Sequence, residues 1–182
     1  MSVIKSRWFQ IGTRILALLF VVAISIYIFS IRDKAQELEK YSYPGIFLLS
    51  FLSYATVILP APGVAVVFTM GAVFNPCLIA LVAGTGAALG ELTGYLAGFS
   101  SQPVIERSNI YDRMVSWLNK NGPLSILLLS AIPNPFFDLT GAAAGALKMP
   151  VYKFLFWTWI GETIKMLVFA YAGSTSLKSI FG

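Results

Sequence analysis

Four ionisable residues stand inside stretches that are otherwise apolar: Glu91, Asp138, Glu162 and Lys165. A charge at the centre of a bilayer costs at least about 2.5–3.5 kcal/mol on insertion scales. Such a residue persists where it faces a cavity, a partner or a substrate, and a carboxylate there can take up and release a proton. Glu91 is the foremost candidate, because it is the single charge between Tyr41 and Ile105. Glu162 and Lys165 are spaced i, i+3 and meet on one helix face, which suits either a coupling pair or a mutually neutralising structural pair. Asp138 lies three residues after Pro135, where it reads equally as a site residue and as the cap of a short helix. Tyr95, one turn after Glu91, is placed to hydrogen-bond with it or with a ligand, or simply to pack.

Other chemistries are excluded by composition. The chain has no histidine and one cysteine, Cys77. A Ser-His-Asp triad, a haem histidine and a Cys/His zinc site are therefore absent, and no metal or cofactor is expected. A single thiol makes no internal disulfide, so the redox compartment is not readable from it. No nucleophile–base constellation is visible, and an enzyme is not expected. Apolar residues make up 57% of the 182 and charged residues 12%, with mean hydropathy +0.77. An ordinary soluble domain is nearer a quarter charged, so a soluble enzyme, a coiled coil and a disordered chain are all excluded.

These residues need elements to hold them. From Tyr41 to Gly90 fifty consecutive residues carry no charge. As one helix they would span about 75 Å against a hydrocarbon core of about 30 Å, so the run turns back inside the membrane. Residues 1–40 are expected to form an N-terminal membrane helix (Ile15–Ile31) and a charged interfacial linker. The domain proper is expected over 41–182. Its first unit, about 44–99, starts with a hairpin: Pro44–Leu59 enters, Pro60-Ala61-Pro62-Gly63 turns, and Val64–Phe74 returns. Cys77–Phe99 then crosses. An amphipathic linker over 100–122 is expected to lie in the interface, with Ile105, Ile110, Met114, Trp117 and Leu118 on its apolar face. The second unit, about 123–173, repeats the plan: Pro123–Ile132 enters, Pro133-Asn134-Pro135 turns, Phe136–Leu147 returns and Pro150–Gly173 crosses. Ser174–Gly182 is a short tail.

Four markers recur in order between the units: Pro60-Ala61-Pro62 with Pro133-Asn134-Pro135, Pro76 with Pro150, Gly90-Glu91 with Gly161-Glu162, and Gly98 with Gly173. A hairpin plus one crossing changes sides once, so the second unit is inverted relative to the first. The expected fold is an all-α polytopic membrane protein, an inverted repeat of two re-entrant hairpins each followed by a transmembrane helix. Broken helices in inverted repeats are a transporter signature, with the site near the midplane. Eight of the thirteen Lys and Arg fall on the side of the N-terminus and four on the other. That bias places the N-terminus in the cytoplasm, and it explains the net charge of +5 without a nucleic-acid partner.

The hairpin tips (Pro60, Pro62, Gly63, Pro133, Pro135) put backbone groups inside the membrane, tolerated only where protein or a wet cavity surrounds them. A half-helix starting at such a tip offers its positive end to an anion, with Asn134 as a further polar contact. Gly86, Gly90, Gly94 and Gly98 recur every four residues and give one smooth face for close helix packing.

The pieces Leu59-Pro60-Ala61-Pro62-Gly63, Gly90-Glu91 with Tyr95 and Gly98, Ile132-Pro133, Ala144-Gly145, Lys148-Met149-Pro150, Phe154 and Gly161 resemble the DedA family of VTT-domain membrane proteins, over about Tyr43–Gly173. The resemblance implies two re-entrant hairpins in a bacterial cytoplasmic membrane. It also implies a role moving lipid phosphates such as undecaprenyl phosphate, or phospholipids, between leaflets with proton or sodium coupling. The chain departs from the family pattern where Val64 replaces the acid after Pro-x-Pro-Gly. Ser130 and Asp138 stand where arginines usually flank the second proline motif, and no further helix is expected after Gly173. Expected partners are membrane lipids, with assembly into a homo-oligomer left open. A proton-coupled carrier of small solutes and a non-transporting scaffold that assembles through the glycine face are the alternatives.

Overall fold

The computed structural model describes residues 39–55, 62–100, 109–133 and 137–181. The expected N-terminal membrane helix lies outside the described residues, as do Pro60, Asn134 and Pro135. Every element among the described residues is an α-helix.

Helix α1 (Glu39–Ala55) begins before Pro44. The charged linker is thus continuous with the entering helix over Glu39–Tyr43, because a proline near a helix start removes only one backbone donor. Helix α2 (Pro62–Val73) opens on Pro62, whose missing N–H has no intrahelical partner at that position in any case. Asn75 caps the next helix, α3 (Pro76–Gly90), its Oδ1 accepting from the N–H of Cys77 at 2.9 Å and of Leu78 at 3.3 Å. Only Glu91 separates α3 from α4 (Leu92–Ser100), and its backbone stays helical at φ −62° and ψ −17°. Together they give Pro76–Ser100, 25 residues and the one described stretch both long and apolar enough to cross a membrane.

Helix α5 (Asn109–Asn121) is followed at Gly122, with φ +56°, by α6 (Pro123–Ala131). Helix α7 (Phe137–Ala146) closes in a left-handed turn at Lys148, φ +53°. There Met149 N–H donates to Ala144 O at 3.1 Å and Lys148 N–H to Gly145 O at 2.9 Å, a Schellman closure. Helix α8 (Val151–Phe181) runs for 31 residues, so the expected tail is instead the last turns of a helix about 46 Å long. By contrast α2, α6 and α7, with 12, 9 and 10 residues, measure only about 14–18 Å.

Helices α3 and α8 run antiparallel. Trp159 Nε1 donates to Thr85 Oγ1 at 3.0 Å, and Cys77 Sγ lies 3.3 Å from Tyr171 Oη nearer the start of α3. Between them a Cβ on Gly84 would stand 2.8 Å from Thr163 Cα. α1 lies along α3 and α6 along α8, whereas α2 packs on the second half of α8 and α7 packs on α4. The glycine contacts recur in matching places. A Cβ on Gly90 would meet Phe51 O at 2.6 Å and Tyr54 Cβ at 2.8 Å, and one on Gly161 would meet Leu127 O at 2.8 Å and Ser130 Cβ at 2.9 Å. Gly98 abuts the backbone of Ala142, and Gly173 that of Phe68.

Two apolar cores result. Ile46, Val67, Ile79 and Met166 join α1, α2, α3 and α8, and Tyr95, Leu118, Ile126, Ala143 and Phe154 join the other elements to α8. In α5 Leu118 is buried in the second core and Val115 packs against it, while Trp117 is exposed. The Tyr95 ring stacks on Phe154 at 5.0 Å, and its hydroxyl donates to Met149 O in the turn before α8.

Gly98→Ala is expected to force α4 and α7 apart, because the added methyl meets backbone that has no side-chain rotamer to give way. A loss of about 1–3 kcal/mol should appear as a lower unfolding midpoint in detergent. Gly45→Ala, where nothing lies within 4 Å, should not lower it. Tyr95→Phe should lose about 0.5–1.5 kcal/mol, the worth of one hydrogen bond, in the same measurement.

Candidate functional site

Glu91 is 2% exposed and sits at the joint of α3 and α4. It faces α7: a Cβ on Gly141 would lie 3.6 Å from Glu91 Oε2 and 3.6 Å from Glu91 O. Gly141 thus brings the backbone of α7, a helix of ten residues, within ordinary contact of the carboxylate. Asp138 is one turn earlier on α7; its side chain lies outside the described residues.

Glu162 and Lys165 form an ion pair with Nζ 2.6 Å from Oε1, and both are buried, at 0% and 6% exposure. The Lys165 ammonium also stands 5.0 Å from the ring centroid of Tyr54 at the end of α1, within range of a cation–π attraction. Tyr54 in turn touches the start of α2, its Cε2 3.7 Å from where a Cβ on Gly63 would be, and the end of α3 at Gly90. One aromatic ring thus ties the first hairpin to both long helical stretches. Along α8 the hydroxyls of Thr158 and Thr163 are buried with no hydrogen-bond partner among the described residues. The α8 face that carries the ion pair is polar for more than a turn.

The expected site residues are therefore divided between two places. Glu91 belongs with α7, and Glu162 and Lys165 belong with Tyr54 and the first hairpin. The Tyr95 backbone meets Gly141 beside Glu91, but its hydroxyl donates to Met149 O. Pro62 and Gly63 begin α2, with Gly63 buried, and Pro133 is exposed at the end of the segment that α6 opens. The glycine stripe is not one face for one partner. Gly86 and Gly90 receive α1, and Gly98 receives α7, while Gly94 is half-buried. Among the described residues no group of Cys, Asp or Glu is arranged to hold a metal ion. What the arrangement offers is one buried ammonium, two buried carboxyl groups and hydroxyls between helices.

The sequence does not point to Tyr54. It is one aromatic in an uncharged run, 111 positions from the lysine it faces, and no periodicity links them. Nor does it pair Trp159 with Thr85, since each alone reads as an ordinary residue of an apolar helix.

Comparison with known proteins identifies relatives of this chain. Residues 59–175 match the VTT domain. Vacuole membrane protein KMS2 of Arabidopsis thaliana is 31% identical over 104 residues, covering 47% of this chain and 25% of that protein. Vacuole membrane protein KMS1 of the same plant is 29% identical over 109 residues, 48% of this chain and 26% of that protein. The vacuole membrane protein 1 homolog of Dictyostelium discoideum is 26% identical over 111 residues, 47% of this chain and 28% of that protein. The matched stretch is thus about a quarter of the length of these curated relatives. No solved structure matches. With the domain covering well over half of the 182 residues, and with the buried acid-bearing helices it encloses, this helical membrane protein belongs to the VTT domain family.

Proposed function

We propose that the protein moves a phosphorylated lipid, either a carrier such as undecaprenyl phosphate or a phospholipid, between the leaflets of a bacterial cytoplasmic membrane. The observation that carries the reading is the placement of the buried charges. Glu91 lies against α7, and Glu162 with Lys165 lies against the end of α1, where helices that belong to hairpins meet the long helical stretches. Ionisable groups at such a depth, between elements able to shift relative to one another, suit the passage of a charged headgroup.

The matching glycine contacts and the antiparallel α3 and α8 support an inverted repeat of two re-entrant hairpins, with α2, α6 and α7 too short to cross and α8 as the second crossing. In this reading Glu91 is the protonatable coupling residue, with Asp138 and Glu162 secondary, and the protein is a transporter rather than an enzyme. The scaffold alternative loses its main support. Gly86, Gly90 and Gly98 are filled by the chain's own backbone and present no smooth face to a neighbour.

Purified protein in liposomes should accelerate the exchange of fluorescent lipids between leaflets. Glu91→Gln, which keeps size and hydrogen bonding but cannot titrate, should leave the unfolding midpoint nearly unchanged. It should abolish translocation or its pH dependence, and Glu91→Asp should retain part of it. Normal exchange with an unaltered pH profile in Glu91→Gln would remove the coupling role.

Orientation follows from the bias in Lys and Arg. In a Cys77→Ser background, a cysteine at Ser116 on the open side of α5 should be shielded from an impermeant thiol reagent in intact cells. One at Ser176, near the end of α8, should be labelled. The reverse pattern would place the N-terminus outside.

A further inference from the structure

We infer that the face of α8 from Tyr152 to Tyr171 is a lipid-contacting stripe, that the two tyrosines mark the two edges of the hydrocarbon core, and that the buried Glu162–Lys165 pair lies at its middle. This rests on the reading above only in taking α8 as a crossing, and it does not require that the protein translocate lipid.

Averaged along its length, α8 falls short of the hydropathy that marks Pro76–Ser100 as a crossing stretch. The residues that lower its average are buried. Thr158 and Glu162 are fully so, Lys165 nearly so, and the Thr163 hydroxyl is covered as well. The exposed residues between Lys153 and Tyr171 are Phe156, Ile164 and Val168, all apolar. At 3.6 residues per turn they share one broad face with Tyr152 and Tyr171, and Thr158, Glu162 and Lys165 fall on the opposite one. Exposed polar residues resume outside this interval, with Lys148 and Lys153 at one end and Thr175, Ser176 and Ser179 at the other. The outward face of α8 is therefore that of a membrane helix even though its average is not.

Tyr152 and Tyr171 are nineteen positions apart, about 28 Å of helix, against a hydrocarbon core of about 30 Å. Tyrosine suits each edge because its ring is apolar and its hydroxyl reaches water. At the first edge the Lys153 ammonium stands 6.0 Å from the Tyr152 ring centroid, on a stem long enough to carry it to the headgroups. At the second, Tyr171 Oη lies 3.3 Å from Cys77 Sγ, beside the exposed Asn75 that caps α3, so both long stretches meet the same edge. Glu162 is ten positions from one tyrosine and nine from the other, and Lys165 reaches back one turn to it. The pair is thus as far from water as α8 can carry it, where a charge has to be turned inward and matched. Beyond Tyr171 the helix continues to Phe181, ten residues and about 15 Å outside the core.

Acyl chains, rather than another protein, cover the stripe. Helices that pack inside a membrane approach through small residues. The glycines of α8 are already used within the chain, Gly161 against Leu127 and Ser130 and Gly173 against Phe68, whereas the stripe presents Phe156, Ile164 and Val168.

The test uses the full chain with Cys77→Ser in phosphatidylcholine liposomes. It carries one nitroxide label at a time, on Lys153→Cys, Phe156→Cys, Ile164→Cys, Val168→Cys or Thr175→Cys. All five positions are exposed, so the label displaces no packed side chain, and both tyrosines stay in place. Collisions with oxygen, which concentrates among acyl chains, are compared with those of a nickel chelate, which stays in water. The oxygen-to-nickel ratio should peak at Ile164, be lower at Phe156 and Val168, and be lowest at Lys153 and Thr175. A ratio that keeps rising to Thr175, or a water-exposed label at Phe156 or Val168, would overturn the assigned edges. Few oxygen collisions and an immobilised spectrum at the three central positions would overturn the lipid contact. Spectral broadening relieved by unlabelled protein would then identify a second copy as the cover, and no such relief another segment of this chain. In unlabelled protein Ile164→Lys, which sets a charge against acyl chains, should lower the unfolding midpoint in the same liposomes, and Thr175→Lys should not. Equal midpoints would also defeat the assignment. Lipid exchange by the wild-type liposomes is recorded in parallel. The expected depth profile without exchange defeats the translocation reading alone, and exchange with a different profile defeats this inference alone.

Discussion

A short helix inside a membrane leaves the backbone groups at its end without water, and they must be buried in protein. The structure is organised around that constraint. Helices α2 and α7 cannot reach across a hydrocarbon core, so each lies on a longer partner, α2 on α8 and α7 on α4. The glycines follow from this. Gly98 and Gly173 bring the returning helices down to backbone contact, and Gly90 and Gly161 do the same for the entering ones. Thr93 shows the same need at a carbonyl: its hydroxyl reaches Ala55 O at the end of α1 at 3.1 Å. Remove the short helices and the glycines have nothing to receive; remove the glycines and the short helices have no place to be buried.

The same constraint sets where charge is tolerated. Glu91 and Glu162 each follow one of the glycines that receive an entering helix, so both carboxylates are carried to the region where the hairpins end. The halves then diverge. Eight positions separate Gly90 from Gly98, but twelve separate Gly161 from Gly173, a difference of about one helical turn. Lys165 lies in the longer interval and meets Tyr54. The acid of the first half has Gly141 beside it, and the acid of the second has a lysine. The two Gly-Glu pairs thereby stand in different charge surroundings.

Much of this was legible in the sequence, because the strongest signals were covalent and local. Proline pairs broke the apolar run, Asn75-Pro76 started a helix, and Gly90-Glu91 and Gly161-Glu162 recurred in order. Asn75-Pro76 is seen as a capped helix start and the two Gly-Glu pairs as close contacts, while of the proline pairs Pro60 and Pro135 lie outside the described residues. Boundaries were less legible. The entering helix includes Pro44 as its sixth residue, at the loss of one intrahelical bond, and α8 runs on to Phe181 because Ser174–Ser176 offers no glycine or proline to stop it. The partners were least legible. The glycine stripe looked like one face for one neighbour, yet the chain divides it between α1 and α7, a division fixed by tertiary packing rather than spacing. Tyr54 beside Lys165 depends on three helices at once and leaves no periodic trace.

The relatives add a further constraint. Proteins several times longer than the matched stretch, from a plant and an amoeba, share it with this short chain. The domain match runs from Leu59 to Thr175 and encloses α2, α7 and the contacts of Gly98 with Ala142 and of Gly173 with Phe68, whereas Gly86 and Gly90 receive residues of α1 that lie before it. Lys165 and Glu162 lie within it, while Tyr54 lies just before it. The ring that grips the ammonium is supplied by the entering helix, the part of the first hairpin outside the shared segment. The frame of glycines and helix breaks carries Lys165 and Glu91 to their places, and what stands opposite them, Tyr54 and Gly141, comes from other helices.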